Sequence, residues 1–227
     1  MKVSDDLVKA LKALAGGGEP MGPRRAPTWN RIVSIATKVL VTQGFQGASM
    51  EEIAAAAEVS RATLYNYAPS KEQLLLSALA QETLSHLDRL APGLDETRPA
   101  KDRLFEMVKS GLMLSEYLPL MTRLLLHEPQ RLEELARQPA MLSVMSQFPG
   151  ADKGAYARSL LVEAFPSSFD DDERSEIVAV IRALGRMGAT LADPSARFGE
   201  PLEALATQLA LTFVAGLQQR ADEWATP

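Results

Sequence analysis

SMEEIAAAAEVSRATLYNYAPSKEQLL, residues 49–75, contains the starts of three helices in close succession. Ser49 opens the first of them with a capping box to Glu52 and places Met50, Ile53, Ala54 and Ala57 on one face. The turn Glu58-Val59 leads to Ser60, which opens a second helix through Arg61-Ala62-Thr63-Leu64-Tyr65-Asn66-Tyr67 that Pro69 closes. Ser70 then forms a capping box with Gln73 and starts a longer helix, expected to run to about Leu90, where Ala91-Pro92-Gly93 breaks it. Upstream, Thr28 is the expected N-cap of a helix whose Ile32, Ile35, Ala36, Val39 and Leu40 share one face and which Gly44 ends. Short capped helices with a tight turn between the second and third form a helix-turn-helix, whose later helix lies in the major groove of DNA.

The whole chain has 227 residues, 46% hydrophobic and 23% charged, the balance of an ordinary globular protein. It lacks cysteine, which excludes disulfides, thiolate nucleophiles and cysteine-based metal sites. No run approaches a membrane span and no secretory leader is visible, so a cytoplasmic location and no membrane partner are expected. The net charge of −5 taken alone disfavours a nucleic-acid partner. Its distribution points the other way: residues 24–71 carry six Lys or Arg against three acids, whereas residues 91–227 carry 14 basic and 20 acidic residues. Residues 1–27 read as a flexible N-terminal extension, with Leu7, Val8, Leu11 and Leu14 at helical spacing before Gly16, Gly17, Gly18 and Pro20. Met21 offers a second possible start. Arg24 and Arg25, at the end of this arm, are candidates for contact with a minor groove or with phosphates.

Three words, Ser49-Met50-Glu51-Glu52-Ile53-Ala54, Val59-Ser60-Arg61-Ala62-Thr63-Leu64-Tyr65 and Ser70-Lys71-Glu72-Gln73-Leu74-Leu75, closely resemble the DNA-binding domain of TetR-family regulators in order and spacing. The resemblance covers roughly residues 28–80. It implies a DNA-binding domain at 28–75, followed by a helical domain at 76–227 that dimerises and binds a small molecule. It also implies that Ser49, Thr63, Tyr67 and Lys71 hold the phosphate backbone; Arg24, Arg25 and Thr28, at the entrance to the domain, are further candidate DNA-binding residues. Arg61, Ala62, Tyr65 and Asn66 lie on the outward part of the later helix. There Arg61 can pair with guanine, Asn66 with adenine, and Ala62 can touch a thymine methyl. Two positions depart from the family pattern. Glu58 replaces a turn glycine, at a cost of about 1 kcal/mol if its backbone is left-handed. Ala68 replaces a large aromatic, a change that costs about 3 to 5 kcal/mol in a core unless Tyr67 or Phe45 fills the space.

Beyond residue 93 the pattern predicts helices at about 99–117, 119–127, 129–147, 153–165, 171–191 and 200–223, and therefore an all-α fold. Ile177, Ile181, Leu184, Gly188 and Leu191 form a narrow seam. Leu205, Leu209, Phe213 and Gly216 belong to a last helix that is apolar on more than one side. A four-helix homodimer interface is the expected use, with a purely intramolecular core as the alternative. Phe105, Met113, Tyr117, Met121, His127, Met141, Met145 and Phe148 are candidate lining for an apolar or aromatic effector, although a Met or aromatic at helical spacing is more often ordinary core.

No catalytic residue, cofactor or metal is expected. Glu82 and His86 share a helix face but lack a third ligand, and Asp170-Asp171-Asp172-Glu173 suits a helix N-terminus. No P-loop, dinucleotide fingerprint, nucleophile elbow or zinc motif occurs. The resemblance thus implies a regulator of a palindromic operator, a repressor released by an effector. A regulator governed by a protein partner, or an activator without ligand, is the alternative, and a helical enzyme is a distant third.

Overall fold

The computed structural model describes residues 4–17, 24–147, 153–197 and 199–224. Among them the regular structure is entirely helical, as the sequence predicts. In chain order the helices are α1 (Asp5–Ala15), α2 (Ala26–Gly47), α3 (Met50–Ala56), α4 (Arg61–Tyr67), α5 (Lys71–Ser85), α6 (Leu87–Leu90), α7 (Ala100–Leu112) and α8 (Leu114–Tyr117). They continue with α9 (Pro119–His127), α10 (Pro129–Ala136), α11 (Pro139–Ser146), α12 (Lys153–Ala164), α13 (Asp171–Thr190) and α14 (Leu202–Trp224). The chain forms two compact units, one built from residues 4–86 and 118–147, the other from 87–117 and the described residues after 152.

In the first unit α5 is the axis. Leu74, Leu75, Leu76, Ser77, Ala78, Leu79, Ala80 and Glu82 are all buried, so the helix is enclosed on every side by α1, α2 and α9. A helix apolar all round needs such enclosure. Where the sequence suggests a flexible extension, α1 is a docked helix: Leu7, Leu11, Leu14 and Ala15 are buried, and α1 also packs on α11. Each of the larger leucines contributes about 1.5 to 3 kcal/mol by leaving water. Gly17 adopts φ +79°, a backbone that suits glycine, and its amide donates to Leu14 O. The terminal carbonyls, orphaned in any helix, are met by side chains: Ser77 Oγ donates to Leu14 O at 2.9 Å and Trp29 Nε1 to Ala15 O at 2.7 Å.

α2 begins earlier than the sequence suggests. Its N-cap is Arg25 and Pro27 occupies the first turn, where a missing N–H costs nothing, so Thr28 is an interior residue rather than the cap. Gly44 breaks the regular helix as the sequence predicts, at φ +78° and ψ 172°, and a short helical segment follows it across a kink to Gly47. Ser49, Ser60 and Ser70 cap α3, α4 and α5 as predicted, each accepting from the third residue onward, Glu52, Thr63 or Gln73. The reciprocal halves of the two expected capping boxes are diverted: Glu52 pairs with Gln43, and Gln73 Nε2 donates to Gly17 O at 2.7 Å. The complete capping box lies instead at Asp170 and Glu173, at the start of α13.

The turn between α3 and α4 is a Schellman ending. Val59 N donates to Ala54 O and Glu58 N to Ala55 O, and Glu58 sits at φ +53°. Glu58→Gly is therefore expected to stabilise the protein by about 1 kcal/mol, since glycine alone adopts this backbone without strain. Thermal or urea unfolding measures it, and a destabilised variant would contradict the strain.

Glu82 is a buried carboxylate in α5 that accepts from Leu120 N at 2.8 Å and Met121 N at 3.2 Å, and so caps α9. It is thereby committed to structure rather than to a metal. Burial pushes its carboxyl above the usual range, while the two amides and His86 pull it down. Glu82→Ala strands these amides and should cost about 1 to 3 kcal/mol in urea unfolding. Because the folded state holds this proton more tightly than the unfolded chain, the stability due to Glu82 rises as pH falls from neutrality toward 4.5. The gap between wild type and Glu82→Ala should widen over that range, and a gap that narrowed would contradict the burial.

In the second unit α7 is the axis, contacted by α12, α13 and α14. Leu104, Leu160, Leu161, Phe165, Phe169, Ile177 and Leu217 form its core. Two residues of the expected dimer seam pack within the subunit. Ile177 is buried in this core, and Gly188 lies where α13 crosses α7: a Cβ there would stand 2.7 Å from Leu112 C and Cα. Ser115 Oγ donates to Gly188 O, and Gly111 and Gly185 meet nearby at the same crossing. The small residues serve a close contact between helices of one subunit. Ile181, Leu184, Leu191, Leu205, Leu209 and Phe213 are half-buried, and Gly216 is exposed.

Candidate nucleic-acid interface

α4 is short and held from both ends. Ser60 Oγ accepts from Thr63 N at 3.0 Å and meets Thr63 Oγ1 at 2.8 Å. Leu64 is fully buried, which turns Arg61, Ala62, Tyr65 and Asn66 outward and leaves all four exposed. Arg61 lies 2.7 Å from Glu51 Oε1, with its guanidinium over the Tyr65 ring. Both partners of that pair are largely exposed, and surface pairs of this kind hold by about 0 to 1 kcal/mol, so Arg61 is readily released to another acceptor.

At the other end Arg25 reaches back to α4. Its Nη2 donates to Asn66 O at 3.0 Å, and its guanidinium lies 4.6 Å from the Tyr67 ring centroid. Tyr67 stacks in turn on Trp29, with centroids 6.1 Å apart and planes at 13°. Arg25 is thus engaged at the end of the outward helix. Arg24, one residue earlier, is exposed, and Thr28 is half-buried in the first turn of α2.

Residues 32–78 match the family described as bacterial regulatory proteins, tetR family. This domain belongs to the TetR family. The fatty acid metabolism regulator protein of Bacillus subtilis (strain 168) is 24% identical over 91 residues, a match that covers 40% of this chain and 47% of that protein. The chain thus spans about half the length of that curated relative. Among solved structures, the ketosteroid transcriptional regulator KstR2 of Mycobacterium tuberculosis has a TM-score of 0.64 at 17% identity, covering 87% of this chain and 96% of that one. AibR, solved in complex with isovaleryl coenzyme A and operator DNA, has a TM-score of 0.62 at 18% identity, over 81% and 96% of the two chains. These likenesses show a shared fold.

Within the TetR-family domain, Ser49 is the half-buried N-cap of α3. Lys71 has a role that its sequence position did not disclose. Its Nζ donates to Phe45 O at 2.6 Å and Ala48 O at 2.7 Å, at the end of α2, and lies 4.3 Å from the Phe45 ring centroid. Arg131 of α10 lies 4.2 Å from the same centroid, and Glu128 Oε1 accepts from Phe45 N at 2.9 Å. Phe45 is therefore a buried corner post clamped by charged groups. Trp29, Glu128 and Arg131 went unnoticed in the sequence because these partners lie 14 to 86 residues away.

The expected effector lining is divided. Met113 and Tyr117 are buried and Phe105 half-buried in the second unit. Met121, Met141 and Met145 are half-buried in the first unit, and Phe148 lies outside the described residues. His127 is exposed at the last position of α9. The second unit carries an open groove of about 730 Å³ between α12 and α13, edged by Arg158, Val162, Glu163, Val178 and Arg182, none of them in the expected set. Among the described residues no group of acids and histidines is placed to hold a metal ion, and no helix is long and apolar enough to cross a membrane.

Proposed function

We propose that the chain is a dimeric, sequence-specific DNA-binding regulator, a repressor of a two-fold symmetric operator that a small effector releases. The observation that carries this reading is the outward face of α4, where Arg61, Ala62, Tyr65 and Asn66 stand exposed above a buried Leu64 in a TetR-family domain. Side chains so placed can reach base edges, while Ser49 and Tyr67 flank them as backbone contacts. Arg61→Ala should relax preference at one base pair, at a cost of about 1 to 3 kcal/mol on the best site. Tyr67→Phe should weaken specific and random DNA alike. An unchanged preference after Arg61→Ala would remove Arg61 from base reading.

The dimer face we infer is the exposed side of α13 and α14. Val180 (46% exposed), Met187 (37%) and Leu211 (50%) are large apolar groups left in water by the single subunit. Leu211→Asp should yield a folded monomer in sedimentation; a persistent dimer would place the interface elsewhere. The effector is the third element of the reading. Its support is the likeness to AibR, a protein solved with an acyl-coenzyme A, together with an open groove that offers arginines beside valines. Coupling between effector and operator is typically about 1 to 3 kcal/mol and reciprocal, so operator DNA must weaken effector binding by the same factor. A cytoplasmic location follows from this role.

A further inference from the structure

We propose that α1 is a positioning element for the recognition helix, acting through a ladder of planar side chains that runs Ala15, Trp29, Tyr67, Arg25, Asn66. This rests on reading α4 as the helix that enters the groove. The first rung is the Trp29 indole N–H, which donates to Ala15 O at the end of α1 at 2.7 Å in a buried setting. The second is the stack of Trp29 on Tyr67, the last residue of α4. The third is Arg25, whose guanidinium lies 4.6 Å from the Tyr67 ring centroid and donates to Asn66 O at 3.0 Å. A guanidinium on the final carbonyls of a helix is favourably placed against the negative end of its dipole.

The ladder matters because α4 has few other constraints at this end. Its seven residues bury Leu64 alone, so the roll of the helix about that anchor is left to its termini. Ser60 fixes the first. Tyr67 and the Asn66 carbonyl fix the second, and both are held by groups that answer to α1. α1 in turn is tied to α5 by Ser77 on Leu14 O and Gln73 on Gly17 O, so its end is a fixed point rather than a tether. Asn66 is also the residue whose amide faces outward to read a base, so an error in roll is felt first at the position it reads.

The test uses the full chain and two duplexes, the best site selected by wild type and a random sequence, at one salt concentration. Trp29→Phe keeps the stack on Tyr67 and deletes the rung to α1. Arg25→Ala deletes the last rung without touching the core. Both variants are first shown by their melting curves to be folded at the assay temperature. Both should lose about fivefold or more on the selected site, the lower end of what one mismatched base pair costs, and for Trp29→Phe, which lies away from the DNA, random DNA should change less than about twofold. Because the rungs act in series, the double variant should be little weaker than Arg25→Ala alone. A structural role without positioning would lower both affinities together. Equal losses on both duplexes or an unchanged ratio for Trp29→Phe, or additive losses of the ratio in the double variant, would overturn the ladder. A wild-type protein that prefers no sequence would instead overturn the reading of α4 on which the ladder rests.

Discussion

Gly188→Leu is expected to unfold the unit built on α7 rather than merely separate the subunits of a dimer. The backbone of Leu112 occupies the space a Cβ would need, at 2.7 Å from two of its atoms, and a backbone held in a helix cannot swing aside as a side chain can. Overpacking of well-filled cores costs about 1 to 3 kcal/mol when side chains absorb it, and more when they cannot. Even Gly188→Ala should therefore lose about 2 to 3 kcal/mol in urea unfolding, at the upper end of that range. Leucine should leave little native protein. The contrast with Leu211→Asp separates the two faces of α13 and α14: one change should destroy the fold, the other only the dimer. A stable, monomeric Gly188→Leu protein would return this residue to the subunit interface.

The second large effect is expected at the N-terminal helix. Leu7 and Leu11 are buried against neighbours that include the wholly enclosed α5, and each leucine-to-alanine change in such a site costs about 2 to 5 kcal/mol. The pair Leu7→Ala with Leu11→Ala should therefore lower the stability of the first unit by more than Glu82→Ala does. An α1 that were only a tail would allow both changes with no shift in the unfolding midpoint. Hydrogen exchange of the α5 amides offers a local check, since loss of α1 packing should accelerate exchange at Leu76 to Ala80.

These two sites also show where the sequence stopped being legible. The spacing of Leu7, Leu11 and Leu14 was readable as a helix, but an isolated helix of 11 residues is marginal in water. What makes α1 stable is α5, some sixty residues later, and no local pattern reports that. The α13 stripe shows a related effect: small and apolar residues specify close packing without naming the partner, and at Gly188 the helix they meet is α7 of the same chain. Lys71 stands in a word that marks a phosphate contact, yet its ammonium is satisfied by Phe45 and Ala48 carbonyls. Local signals fared better. The serine caps of α3, α4 and α5, the all-helical class and the left-handed cost at Glu58 all depend on neighbours a few residues away.

The central claim is that the exposed face of α4 reads a base sequence in two copies. Selection of bound duplexes from a random DNA pool, with wild type and Arg61→Ala in parallel, tests it most directly. The account predicts an inverted repeat with half-sites set by the spacing of two recognition helices, about one helical turn of DNA. It further predicts that the variant enriches the same repeat with one position of each half-site relaxed. A pool that shows no enrichment with wild type, or a repeat left unaltered in every position by loss of Arg61, would contradict it.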